Sequence, residues 1–95
     1  MSVYVVVDLE ITDHEKFEAY KQLVPATIER YGGRYIVRGG KVETLEGTWR
    51  PSRFVVLEFP SAEKAKAWYD CTEYARPKAM RHASARSNII LVDGV

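Results

Sequence analysis

The stretch RFVVLEFPSAEKAKAWYD, Arg53–Asp70, decides the fold. Four of its first seven residues, Phe54, Val55, Val56 and Phe59, are β-branched or aromatic, which predicts a strand over Arg53–Phe59. The two faces of that strand differ. Val55, Leu57 and Phe59 make one wholly apolar face, and Phe54, Val56 and Glu58 make a mixed one. Pro60 and Ser61 then open a helix, because proline suits a first helical turn and a serine hydroxyl caps free backbone N–H groups. Ala65, Trp68, Tyr69 and Thr72 lie along one stripe of it. A carboxylate, Glu58, thus stands where a strand hands over to a helix bearing large aromatics.

Upstream the same alternation recurs. VYVVVDLEI, Val3–Ile11, is a strand with Val5, Val7 and Leu9 on one face and Tyr4, Val6, Asp8 and Glu10 on the other. TDHEKFEAYKQLVPATIERYGG follows. Thr12 and Glu15 have the spacing of a capping box, and Phe17, Tyr20, Val24, Ile28 and Tyr31 recur every three or four residues as in an amphipathic helix. Pro25 predicts a kink or split near Val24, and Gly32–Gly33 a stop. RYIVRGG, Arg34–Gly40, reads as a second strand, and Lys41–Arg53 as a long hairpin connection. Downstream, Ala75–Ala83 is a short helix with Pro77 near its start, and Ser87–Gly94 a closing strand.

The order strand, helix, strand, strand, broken helix, strand is that of a split βαβ, ferredoxin-like α+β domain spanning residues 1–95. Its four-stranded antiparallel sheet carries helices on one face. The first and third strands are expected side by side and parallel in the centre. The faces carrying Tyr4, Val6, Phe54 and Val56 then look away from the helices and leave an apolar area large for a monomer. A homodimer packed sheet to sheet covers it.

Composition narrows the function. The 95 residues carry 14 basic and 13 acidic side chains, with no basic stripe that implies nucleic acid. Tyr4 and Phe54 do occupy the strands on which RNA-recognition domains stack bases, but RFVVLEF lacks that motif's glycines and basic residues. No stretch approaches the roughly 20 apolar residues of a membrane span, and the apolar start has no basic region before it, so the expected location is the cytoplasm. The single cysteine, Cys71, forms no internal disulfide. With His14 and His82 alone there is no recognisable metal spacing, and no cofactor is implied.

With the central strands parallel, Asp8, Glu58, Arg34 and His14 are expected to cluster at one end of the sheet. Two carboxylates and a histidine can do acid–base work where burial separates their pKa values. An Arg34–Glu58 cross-strand pair is the plainer expectation. Tyr20, Trp68, Tyr69 and Tyr74 either fill the core or line a cavity, and Arg81 can offer an anion a forked contact. The glycine pairs at 32–33 and 39–40 are turn glycines, not a phosphate loop.

RYGGRYIVRGG, LEG, FVVLEFPSAEKAKAWYDCTEY and ARPKAMRHASA, taken together from Tyr4 to Gly94, resemble the domain-of-unknown-function 1330 family. That family is similar to the dimeric α+β barrel proteins, whose ferredoxin-like subunits pair their sheets into a barrel. The resemblance implies a pocket between sheet and helices, lined by Tyr20, Trp68, Tyr69 and Tyr74. The wider superfamily includes cofactor-independent monooxygenases, isomerases of small ring compounds and haem-degrading enzymes. His14 at a helix start and His82 near a helix end are poor haem ligands. The chain therefore reads as a small dimeric protein binding a small organic ligand, an anion among the kinds that fit. The alternative is a cofactor-independent monooxygenase- or isomerase-like enzyme with a strand-end carboxylate as base. A regulatory ligand-sensing module is a third possibility.

Overall fold

The computed structural model describes residues 2–95. Its elements run β1 (Val3–Ile11), α1 (His14–Arg30), β2 (Arg34–Arg38), β3 (Arg53–Phe59), α2 (Ala62–Asp70), α3 (Thr72–Ser84) and β4 (Ala85–Asp93). The strands form one sheet in the order β2-β3-β1-β4, every neighbouring pair antiparallel. This is the α+β ferredoxin-like arrangement expected from the sequence.

One expectation fails. β1 and β3 are central neighbours but antiparallel, with Tyr4 opposite Glu58 and Asp8 opposite Phe54. Each crossover helix in a split βαβ unit returns the chain parallel to where it started, so β1 matches β2 and β3 matches β4. The two central strands must then oppose each other.

Alternation sorts the side chains as the sequence predicts. Val3, Val5, Val7, Leu9, Val55, Leu57 and Phe59 are buried beneath the helices, together with Phe17, Tyr20, Val24, Ile28, Ala65, Trp68 and Tyr74. Trp68 is the centrepiece. Its ring stacks on Tyr74 at 4.3 Å between centroids and tilts against Phe59 at 5.4 Å. Its indole N–H donates to Thr27 Oγ1 at 3.0 Å, and that hydroxyl donates to the Val24 carbonyl at 2.7 Å. The one polar atom of the indole is thereby satisfied in the core. Gly33 lets this core close: a Cβ there would lie 2.5 Å from the Phe59 ring.

The helix ends and prolines differ in detail from expectation. Asp13, not Thr12, caps α1, accepting from the Lys16 N–H at 3.1 Å. The Thr12 N–H is already engaged by the Ser84 carbonyl at 2.8 Å, so no reciprocal capping box can form. Pro25 neither splits α1 nor ends it, since the helix runs unbroken to Arg30. Proline removes the N–H that the Lys21 carbonyl would accept, and Arg38 of β2 reaches that carbonyl at 3.3 Å instead. Ser61 caps α2 as predicted. α3 begins three residues earlier than expected and carries Pro77 inside it, facing the core.

Between β2 and β3, which pair antiparallel, the chain makes the long hairpin connection expected from the sequence, with no regular strand in it. It folds back over the sheet face opposite the helices, where Trp49 donates to Asp8 Oδ2 at 2.8 Å and meets Phe54 edge-on at 5.9 Å.

Candidate functional site

Antiparallel central strands disperse the expected acid–base cluster. Glu58 pairs opposite Tyr4 and Asp8 lies four residues further along β1, which at strand rise is about 13 Å away. His14 begins α1, beyond the end of β1 that carries Asp8, and is exposed. The three therefore cannot act on one substrate atom from this arrangement. Arg34 does lie opposite Glu58, as the hairpin register predicted, and its Nε donates to Glu58 Oε1 at 2.7 Å. The Tyr4 hydroxyl approaches the other oxygen at 3.4 Å.

The Arg34 hydrogen bond, helped by one from Ser2, holds the Glu58 carboxyl below its ordinary 4.5. A depressed carboxylate pKa contributes stability above the unfolded value, lost as pH falls through the folded one. Glu58→Gln removes this contribution. The gap in urea midpoint between wild type and Glu58→Gln is therefore expected to be full near neutrality and to close below pH 4.5. A gap that persists unchanged into acid would assign the effect to packing instead.

The helix-facing side holds a different constellation. Tyr20 and Tyr74 share a hydrogen bond between hydroxyls at 3.0 Å, buried within the core. Burial, then the neighbouring Tyr74, pushes the Tyr20 phenol well above its ordinary range, so it stays protonated. Tyr35 is also raised by burial. Arg81 is 2% exposed. It lies on the buried stripe of α3 with Tyr74, Pro77 and Ser84, at spacings of three and four. Its Nη1 donates to Ser87 Oγ on β4 and its Nη2 lies 3.3 Å from His82 Nε2. Its Nε is buried with no partner. Among the described residues no carboxylate pairs with it.

Arg81, Tyr20, Tyr74, Tyr35 and Arg53 border an interior cavity of about 30 Å³, with Lys21 and Arg38 also on its wall and aliphatic and aromatic core side chains making up the rest. Space of that size holds a water or two. Arg81 also borders a second, open recess of about 300 Å³ with Tyr69, His82, Ser87 and Ile89. Burial, then the charges of Arg81 and Lys78, lowers the His82 pKa, so the ring tends to neutrality. Lys78 stands over the Tyr69 ring at 4.0 Å and donates to the Tyr69 carbonyl at 2.8 Å. Among the described residues no three His, Cys, Asp or Glu side chains gather as a metal site requires.

Of the residues singled out from sequence, the structure thus brings together Tyr20, Trp68, Tyr74 and Arg81, with Tyr69 on the outer side of Arg81. It separates them from Asp8, Glu58, Arg34 and His14, which lie on the opposite sheet face or at an exposed helix start. Sequence reading missed Ser87, Lys78, Tyr35 and Arg53. A signal existed for Tyr35 alone, which alternates with the exposed positions of β2.

A family model for a domain of unknown function, DUF1330, matches residues 2–95. The chain belongs to that family. No curated protein matches it. Several solved structures share the DUF1330 chain's fold. A protein of unknown function from Rhodopseudomonas palustris superposes with a TM-score of 0.83 at 17% identity, over 99% of this chain and 82% of that one. A dimeric ferredoxin-like protein of unknown function from Jannaschia sp. gives 0.74 at 15%, over 99% and 100%. SnoaB, a cofactor-independent oxygenase from Streptomyces nogalater, gives 0.68 at 13%, over 99% and 93%. At these identities the likeness is one of fold. No helix of the DUF1330 chain is long and apolar enough to cross a membrane.

Proposed function

We propose that the chain is a cytoplasmic, homodimeric, single-domain protein that binds a small organic anion in a pocket near its sheet and helices, at the open recess that Arg81 borders. Arg81 carries this reading. A guanidinium almost wholly withdrawn from water, with no carboxylate and an unpartnered Nε, costs several kcal/mol in desolvation. A folded domain with 5–15 kcal/mol of total stability bears such a cost most readily where a ligand offsets it. Tyr20 and Tyr74 place a buried pair of hydrogen-bonded hydroxyls on the same interior cavity as Arg81, and the open recess of about 300 Å³ gives a ligand room on the side of Ser87 and His82.

The dimer rests on the other sheet face. Val37, Val56, Val6 and Ile90 occupy paired positions across all four strands, and Ile90 is 60% exposed. A second copy packed sheet to sheet removes this row from water, and the Jannaschia protein of the same fold is described as dimeric.

A cofactor-independent enzyme, as SnoaB is described, remains the second reading. Glu58 lends it little support as a base, because Arg34 favours the already ionised carboxylate, whereas a base near neutrality needs a raised pKa.

Thermal denaturation against a panel of small aromatic and aliphatic acids tests the binding. An acid present at 100 times its dissociation constant adds about 2.7 kcal/mol, which raises Tm by roughly 10 °C or more in a domain of this size. A panel that leaves the midpoint unmoved contradicts the proposal.

A further inference from the structure

The recess outside Arg81 adjoins a second hollow. A groove of about 310 Å³ runs between α2 and the edge strand β4, walled by Val5, Ala65, Trp68 and Leu91. The two share Tyr69 and Ile89 as a common border. Their chemistries are opposite. The groove is lined by aliphatic side chains and an indole, with Lys66 and Asp70 at its rim. The recess presents the Arg81 guanidinium, the Ser87 hydroxyl and the His82 ring, with Lys78 over the shared Tyr69.

Every charged group near the recess can be placed. Arg81, His82 and Lys78 come from α3. From α2 comes Asp70, which is 3.9 Å from the Lys78 ammonium and does not line the recess. From β4 comes Arg86, already paired with Glu10 of β1 at 3.6 Å. Among the described residues no carboxylate lines the recess. Arg81 has five N–H donors, of which the Nη groups reach toward Ser87 and His82. A carboxylate or phosphate oxygen placed there accepts from the guanidinium in a charge-assisted bond, and Ser87 can turn its hydroxyl to donate as well.

We infer that the edge of the molecule between α2, α3 and β4 is a two-compartment site for an amphipathic monoanion: the recess takes its oxyanion on Arg81 and Ser87, and the α2–β4 groove takes its apolar body. This rests on the ligand-binding reading above and names the class of ligand. The ring or short chain of an aryl or alkyl carboxylic acid matches both halves. A free inorganic anion matches only the recess.

Nuclear magnetic resonance titration of the full chain separates these cases, with benzoate, its neutral isostere benzamide, acetate and inorganic phosphate as probes. Benzoate is expected to move the Arg81 Nε–H and Ser87 amide resonances together with those of Ala65 and Leu91. Acetate and phosphate are expected to move only the first pair, and benzamide to bind at least about tenfold more weakly than benzoate. Arg81 is buried and its removal threatens folding, so the variants are Ser87→Ala and Leu91→Asp. Ser87→Ala is expected to weaken all three anions about tenfold. Leu91→Asp is expected to weaken benzoate and spare phosphate. Benzamide binding as tightly as benzoate, with shifts at Tyr20 and Tyr74 but none at Ser87, overturns the oxyanion recess and leaves the general ligand reading standing. Acetate as tight as benzoate overturns the apolar compartment. Silence of Ser87 and Arg81 toward all four probes overturns the inference outright.

Discussion

Trp68→Ala is expected to cost about 3–5 kcal/mol, the range for removing a buried large aromatic. The site offers no route to collapse. Trp68 is 2% exposed, is stacked on Tyr74, and rests against Phe59, which is wholly buried. Removing the indole also strands the Thr27 hydroxyl without its buried donor. A domain of 95 residues has roughly 5–14 kcal/mol of stability in all, so the variant should lie near the edge of folding. Urea denaturation followed by circular dichroism reads the loss. A cost below about 1 kcal/mol would mean that Trp68 is a mobile wall of an open pocket, not a core residue.

Val56→Asp addresses the other face, with the second large effect. Val56 sits between Val37 and Val6 in the apolar row that crosses the sheet. In a monomer its side chain is half-buried and an aspartate there stays hydrated. In a sheet-to-sheet dimer the same aspartate is enclosed without a partner, at about 3–5 kcal/mol. The dimer dissociation constant should rise roughly a hundred- to several-thousandfold. Light scattering after size exclusion is then expected to report a dimer for the wild type and a folded monomer for the variant. A variant that remains dimeric places the interface elsewhere, and with it the covering of Ile90 and Trp49.

The elements were legible because their signals are local. Alternation in VYVVVDLEI and RFVVLEF gives β1 and β3 to the residue, and Pro60–Ser61 gives the start of α2. Strand sense is not local. Neither strand by itself states which way it runs beside the other; the split βαβ order does, and taking β1 and β3 as parallel against it drew Asp8 and His14 toward Glu58. The Arg34–Glu58 pair survived because it depends on a single hairpin. The passage of α1 through Pro25 depended on Arg38, 17 residues away, taking the orphaned Lys21 carbonyl. The Trp49–Asp8 bond spans 41 residues through an irregular loop, and no periodicity announces it.

Arg81 was half legible. Tyr74, Pro77, Arg81 and Ser84 keep helical spacing, so an arginine stands where an apolar residue is the rule. That single departure from pattern is what the ligand reading rests on, since such departures concentrate where a protein meets something else.

Native mass spectrometry, on the protein as purified and after incubation with excess of the acids that raise its Tm, tests the account most directly. The account predicts a dimer carrying up to two small molecules that depart on denaturation. A bare polypeptide mass in every condition, whether of one chain or two, would contradict it.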